Sequence, residues 1–171
     1  MSTTAISLDE YLRSVWEPDR EYVSGEIVER HMGEKDHAKW QAALVRLLSG
    51  WRHTANLQVM PELRVQTTPD RCRVPDVVVL HRNAPDEQVI THPPLLCVEI
   101  LSPEDRVVRI EDKIDEYFRM GVRAVWVIDP RRQIGYQCQG ASLRDWKAVD
   151  ELVIPGTPIA LTLQAIIADL D

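Results

Sequence analysis

Cysteine is scarce: the 171-residue chain has three, Cys72, Cys97 and Cys138. An odd number with no CxxC spacing excludes a disulfide framework and a zinc knuckle, and leaves buried thiols as the expectation. Long apolar runs are also missing. No window approaches the roughly 18 uninterrupted apolar residues of a membrane span, and the polar opening "MSTTAISLDEYL" has neither the basic end nor the apolar stretch of a signal peptide. The expected compartment is the cytoplasm, with no membrane partner. Basic residues are outnumbered, 20 against 27 acidic, for a net charge of −7. Such a chain does not coat nucleic acid by bulk attraction, so any contact with phosphate has to come from a local cleft. Paired arginines that could line one are Arg71 with Arg73, Arg106 with Arg109, and Arg131 with Arg132. No GxSxG elbow, HExxH, phosphate-loop glycine pattern or dinucleotide fingerprint occurs, and the five histidines lack zinc-ligand spacing.

What is present is an ordinary globular composition, 44% hydrophobic and 27% charged, with no repeat, low-complexity tract or long linker. One domain over residues 1–171 is the expectation. Helical spacing runs from Leu8 to Val15 and from Asp36 to Trp51, where Trp40, Ala43, Leu44, Leu47, Leu48 and Trp51 share a face. "YVSGEIVER" predicts an N-terminal hairpin turning at Gly25. "LQVMPELRVQT" and "CRVPDVVVL" predict two strands joined as a hairpin or meander by "TPDR". Leu95 to Leu101 is too continuously apolar for a sheet with one wet face and predicts a central strand covered on both sides. Ser102, Pro103 and Asp105 have capping-box spacing for a helix that stops at Gly121, and "AVWVID" follows as a parallel strand. "IGYQCQG" with "DWKAV" predicts a C-terminal hairpin, and "LTLQAIIADL" a last apolar helix.

Two strands each carry one carboxylate among apolar residues: Asp76 in "RVPDVVVL" and Glu99 in "PLLCVEILSP". A buried charge needs a partner, a hydrogen bond or a metal. If these strands are neighbours, the two acids repel unless a cation lies between them, and hard oxygen donors of this kind suit Mg2+ or Mn2+. Removing either acid should then relieve repulsion and raise stability in metal-free protein. Lys113 lies at the margin of the buried helical stripe beside Ile110 and Tyr117, so its ammonium can reach the sheet. The residues alone leave a plainer alternative open, in which Lys113 reaches water, Asp76 closes a turn after Pro75, and Glu99 pairs with an arginine. Cys97 shares the Glu99 strand and reads as core packing rather than a nucleophile.

The succession of "PD" on one strand, "LLCVEILSP" on the next, "DKIDEYFRMGV" on a helix and "AVWVIDP" on a strand resembles the Uma2 family of restriction-endonuclease-like proteins. The likeness covers most of the chain, including "REYVSGEIVER", where Glu21 matches a family glutamate, and His37 ahead of the core helix. It implies an α/β, mixed α+β fold with the core of the PD-(D/E)xK nucleases: a central mixed β-sheet flanked by helices, here with N-terminal and C-terminal β-hairpins. It further implies a metal-dependent endonuclease acting on DNA phosphodiesters. In that case Asp76 and Glu99 hold Mg2+ or Mn2+, Lys113 orients the attacking water or stabilises developing charge, and Glu21 completes the acidic cluster. The strand reads E-x-L at Glu99, Ile100 and Leu101, so the lysine of the simplest motif is absent there and Lys113 would supply it from the helix. Neither the role of His37, which reads on its own as a surface residue, nor the oligomeric state is fixed, and a homo-oligomer is compatible with the sequence. The competing function is a catalytically inactive nuclease-like fold used for nucleic-acid binding or assembly, which the net charge and the missing strand lysine favour.

Overall fold

In the computed structural model of the chain, residues 5–30 and 34–170 are described; the polar opening at residues 1–4 and His31 lie outside them. The elements in order are α1 (Leu8–Arg13), β1 (Arg20–Val23), β2 (Glu26–Glu29), α2 (Lys35–Ser49), β3 (Leu57–Pro61), β4 (Val65–Thr68), β5 (Arg71–Arg73), β6 (Val77–His81), β7 (Leu96–Ile100), α3 (Val107–Met120), β8 (Ala124–Asp129), β9 (Ile134–Cys138), β10 (Trp146–Val149), β11 (Glu151–Val153), β12 (Ala160–Thr162) and α4 (Leu163–Ala168).

A six-stranded sheet in the order β10-β9-β8-β7-β6-β3 forms the centre. Only β7 and β8 run parallel, joined through α3, and the other pairs are antiparallel. The sheet is therefore mixed and flanked by helices, as expected. Every residue of β7 is buried, because helices cover both of its faces. Alternation along the strand sorts the side chains. Leu96, Val98 and Ile100 face Trp40, Leu44 and Leu48 of α2, with Trp126 and Ile128 from β8 in the same cluster. Cys97 faces Ile110, Ile114 and Tyr117 of α3, with Val125 and Val127. Burying a Leu or Ile side chain of this kind contributes roughly 1.5–3 kcal/mol relative to leaving it exposed, so α2 and α3 are held by their apolar stripes.

The hairpin expected at Gly25 forms, with Ser24 and Gly25 both at positive φ, 49° and 95°, as a two-residue turn of the primed type requires. A side chain at Gly25 would also approach Ala5 Cβ to 3.1 Å. The strand prediction between Leu57 and Leu80 needs correction. Each predicted strand is two: β3 and β6 pair in the central sheet, whereas β4 and β5 form the hairpin at "TPDR" and join β1 and β2 in a separate four-stranded sheet, β2-β1-β5-β4. The breaks fall at Glu62–Arg64 and Val74–Asp76, where the chain steps from one sheet to the other. Helix α3 starts a turn later than the capping box predicts, with Arg106 at its N-cap. Ser102 and Asp105 instead close a turn, Asp105 accepting from Ser102 N at 2.6 Å. Gly121 ends α3 in the left-handed conformation, φ 98°, as read from the sequence. The C-terminal hairpin and last helix are present; the short pair β11–β12 was not foreseen. Among the described residues no helix is long and apolar enough to cross a membrane.

Candidate functional site

Strands β6 and β7 are antiparallel neighbours with Val77 opposite Val98 and Val78 opposite Cys97. Asp76 lies immediately before β6, beside the end of β7 that carries Glu99, and both line the same cleft. Two bonds tie it to that strand: Asp76 N donates to Val98 O at 3.0 Å, and Ile100 N donates to the side-chain oxygen Asp76 Oδ2 at 2.7 Å. Both carboxylates are buried, at 5% and 3% exposure.

Lys113 reaches them from α3. Its Nζ lies 3.0 Å from Glu99 Oε2 and 2.9 Å from Glu21 Oε1, so it does not snorkel to water, and Glu99 pairs with this lysine rather than with an arginine. One turn of α3 brings the ammonium, the carboxylate of Glu116 and the hydroxyl of Tyr117 to the sheet together. Tyr117 donates to the other oxygen of Glu99 at 2.6 Å. Glu21, on β1 of the smaller sheet, accepts from Val74 N at 3.2 Å and from Arg73 Nη1 at 3.1 Å. Arg73 in turn grips Glu116 through Nε at 2.8 Å and Nη2 at 2.6 Å. The remaining capacity of Glu116 goes to Arg71 at 2.6 Å and Thr67 at 2.8 Å. The result is a buried chain of alternating charge, Glu116–Arg73–Glu21–Lys113–Glu99.

Asp76 has its own partners. Its Oδ1 accepts from Arg30 Nη2 at 2.9 Å and lies 3.3 Å from His37 Nε2, and its carbonyl accepts from Gln41 at 2.9 Å. The sequence thus placed Asp76, Glu99, Lys113 and Glu21 in one cluster, and so they are. His37 is a correction: instead of a surface position it is 9% exposed and hydrogen-bonded to Asp76, because the first turn of α2 ends against the Asp76 bend. Of the Arg71 and Arg73 pair, Arg73 lines the cleft and is held by Glu116 and Glu21, while Arg71 pairs with Glu116 outside it. Arg30 and Glu116 went unrecognised in the sequence, which also did not show that Arg73 grips an acid or that Tyr117 bonds Glu99.

The electrostatics divide the two strand acids. Glu99 is pushed up to about 7 by burial and by the charges of Asp76 and Glu21, against the pull of Lys113 and Tyr117. Burial would raise Asp76 too, but the hydrogen bond and charge of His37, followed by Arg30 and Lys113, hold it below its ordinary value. Removing Asp76 would therefore strand the cations around it, whereas removing the Glu99 charge would relieve its burial and the crowding of acids. Glu21 is held low by Lys113, Arg73 and Val74 N despite burial. Lys113 is held above the ordinary lysine value because Glu21, Glu99 and Asp76 outweigh its burial. His37 is raised, the bond to Asp76 more than offsetting desolvation. Cys97, by contrast, is pushed far up by burial and then by Glu99, which disfavours a thiolate nucleophile.

The cluster forms the floor of a cleft of ≈ 260 Å³ whose walls come from β1, β2 and the start of α3. Its lining carries Glu21, Glu26, Glu29, Asp76, Glu99, Asp105 and Asp112 against Arg30, Arg73, Arg109 and Lys113. That excess of acid calls for further positive charge. Among the described residues no group of three or more His, Cys, Asp or Glu side chains is arranged to hold a metal ion. Mg2+ nevertheless takes only one or two protein carboxylates and keeps several waters, so the Asp76 and Glu99 pair fits it in donor type and number.

The fold is shared with the crystal structure of a putative nuclease belonging to DUF820 from Anabaena variabilis ATCC 29413, at TM-score 0.80 and 22% identity, over 96% of this chain and 99% of that one. The restriction-endonuclease-like architecture expected from the sequence stands. A DrdV–DNA complex seen by cryo-EM aligns at TM-score 0.41 and 14% identity, over 81% of this chain and 12% of that chain. No curated protein matches. The model of the family described as "Uma2: Putative restriction endonuclease" matches residues 8–139, a span that holds Glu21, Asp76, Glu99 and Lys113, and the chain belongs to the Uma2 family.

Proposed function

We propose that this protein is a metal-dependent endonuclease that hydrolyses phosphodiester bonds in DNA. The observation that carries the proposal is the pairing of Asp76 with Glu99 on adjacent strands at the floor of an acidic cleft, with an ammonium 3.0 Å from Glu99. Asp76 and Glu99 would hold Mg2+ or Mn2+, which when bound polarises the phosphate and lowers the pKa of the attacking water. Lys113 stands beside Glu99 with its charge secured by Glu21, positioned to orient the water and stabilise charge that develops on the phosphate oxygens. Arg73 and Glu116 fix Glu21, so the lysine is held from both sides. Tyr117 fixes the second oxygen of Glu99. With its own Asp76 bond, His37 acts on the orientation of that carboxylate rather than as a free base.

One observation favours a second function, a nuclease-like fold that binds nucleic acid without cutting it. Asp76 Oδ1 is already satisfied by Arg30 and His37, and both oxygens of Glu99 are satisfied by Lys113 and Tyr117, so the cluster is neutralised internally. Two measurements separate the functions. Plasmid and single-stranded DNA are incubated with Mg2+, Mn2+ or EDTA; cutting that requires a divalent cation and disappears in Asp76→Asn and Glu99→Gln is the expected result. Calorimetric titration with Mn2+ that shows no binding, or binding unchanged in Asp76→Asn, refutes the metal-dependent enzyme and leaves the binding module.

A further inference from the structure

Arg30 follows β2 on the wall of the cleft, and its guanidinium sits on the carboxylate that the proposed function assigns to the metal. The contact is 2.9 Å to Asp76 Oδ1, with a longer one of 3.6 Å to Glu62 Oε1, and the side chain is 15% exposed. It is thus the cleft's most direct competitor for Asp76. Its surroundings also separate it from the other arginines. Arg73 is used on all sides by Glu116 and Glu21, and Arg71 by Glu116. Arg109, exposed at the opposite wall one helical turn before Lys113, makes no side-chain ion pair or hydrogen bond among the described residues. Two guanidinium groups therefore face the cleft from opposite sides, one unpaired and one held by an acid on the floor.

We propose that Arg30 is a phosphate-binding residue kept on Asp76 in the metal-free protein. Once the charge of Asp76 is taken by a divalent cation, Arg30 leaves the carboxylate and, together with Arg109, binds the phosphates of the DNA strand entering the cleft. This rests on the metal-dependent function proposed above. The physical grounds are electrostatic and geometric. A guanidinium and a dication on one carboxylate oxygen repel each other, and Glu62, half-exposed, is a weak alternative partner for a displaced arginine. The guanidinium fork matches a phosphate's two oxygens as it does a carboxylate's. Lys113, set on the floor of the cleft between Glu21 and Glu99, serves the reacting phosphate in the function proposed above and leaves the neighbouring phosphates of the strand to the arginines of the walls. In an acidic cleft the same arginine would thus guard the empty site and, after the metal has entered, supply positive charge for substrate.

The test uses the full chain with Mn2+ alone, and separately with a short single-stranded DNA oligonucleotide in Ca2+. In Arg30→Met, Mn2+ should bind about tenfold tighter by calorimetry, because a cation has left Asp76. The oligonucleotide should bind more weakly by fluorescence anisotropy, with the slope of log affinity against log salt reduced by about one. Arg109→Met should weaken the oligonucleotide and leave Mn2+ binding unchanged. If the parent binds Mn2+ and Asp76→Asn abolishes it, yet Arg30→Met leaves Mn2+ affinity as it was or tightens it with no loss of DNA affinity, the role of Arg30 is overturned and the metal site stands. If the parent binds no Mn2+, the proposed function fails and this role with it. Should Arg30→Met not fold, nitrogen-15 NMR of the unaltered protein decides, the Arg30 Nε–Hε resonance being assigned by comparison with Arg30→Lys. It should move on addition of Mg2+ and again on addition of oligonucleotide, and a resonance that ignores both overturns the proposal.

Discussion

Glu99→Gln should leave the metal-free protein close to the parent in stability at pH 5 and make it clearly more stable at pH 8. In the fold this carboxyl is raised from 4.5 to about 7. A carboxyl raised on folding binds its proton more tightly in the native state, so stability falls as pH rises through the interval between those two values and stays reduced above it. The size of the loss is about 3 kcal/mol, the free energy of a shift of that size at about 1.4 kcal/mol per pH unit. Glutamine imitates the protonated acid: it can accept from one neighbour and present an amide to the other, and Lys113 keeps its contact with Glu21 at 2.9 Å. At pH 8 in EDTA, thermal melts followed by circular dichroism should therefore show a Tm higher by roughly 5–10 °C, at a few degrees per kcal/mol for a chain of this size. At pH 5 the two melts should nearly coincide. Asp76→Asn should do the opposite. Its carboxyl is held low by His37, Arg30 and Lys113, so removing the charge strands buried cations at a cost on the order of 3 kcal/mol, visible at pH 8 and fading as pH falls through the carboxylate range. If Glu99→Gln is destabilised more at pH 8 than at pH 5, the Lys113 pair outweighs the crowding of acids and the reasoning is wrong.

Lys113→Met keeps the stem that packs beside Ile110 and Tyr117 while deleting the charge; it should lower stability by leaving Glu21 and Glu99 unpaired, and in the folded fraction single-turnover cleavage at saturating metal should slow by orders of magnitude, whereas a rate within a few-fold of the parent would remove the lysine from the chemistry. Lys113→Arg should rescue poorly, because a planar guanidinium does not fit the gap between Glu21 and Glu99. Below about pH 4.5, Glu116 should be a focus of acid unfolding: its pKa is lowered because Arg73, Arg71 and Thr67 outweigh its burial. Its stabilisation is therefore complete above the unfolded carboxyl's value and lost as pH falls through the folded one, so Glu116→Gln should flatten the acid limb of a stability–pH curve. DNA binding in Ca2+ should depend weakly on salt, with a slope of about −1 to −2, since few cleft cations are unpaired; a slope expected for about eight or more contacts would refute a local cleft.

The central elements were legible because they are governed by period and burial. Leu95 to Leu101 reads as a covered strand from its unbroken apolarity, and α3 from its stripe and Gly121. The step between sheets at Val74–Asp76 was hidden, since a strand that changes sheets keeps the same residue types on both sides of the break. Asp76, Glu99 and Lys113 could be singled out because a charge among apolar neighbours demands an explanation. Arg73 carried a similar signal, a charge between Cys72 and Val74, and Glu116 and Tyr117 lie three and four residues after Lys113 on its helix. Their meaning emerges only when the smaller sheet meets α3. Arg30 carried no local signal at all, because what brings it to Asp76 is the fold of the N-terminal hairpin across the end of the sheet. His37 looked like an exposed helix start for the same reason.

Leu101, where the simplest motif would have its lysine, packs partly buried against the cluster under α3. With the ammonium carried by the helix instead, its distance from Glu99 is no longer set by the rigid spacing of one strand. It is set by how closely two layers are stacked, and so by the volumes of Cys97, Ile110 and Ile114 between them. The interior of the protein thereby becomes the ruler of the candidate site: a methyl group added or removed in that layer would shift the ammonium relative to Glu99. A site built this way can be tuned, or silenced, from the core.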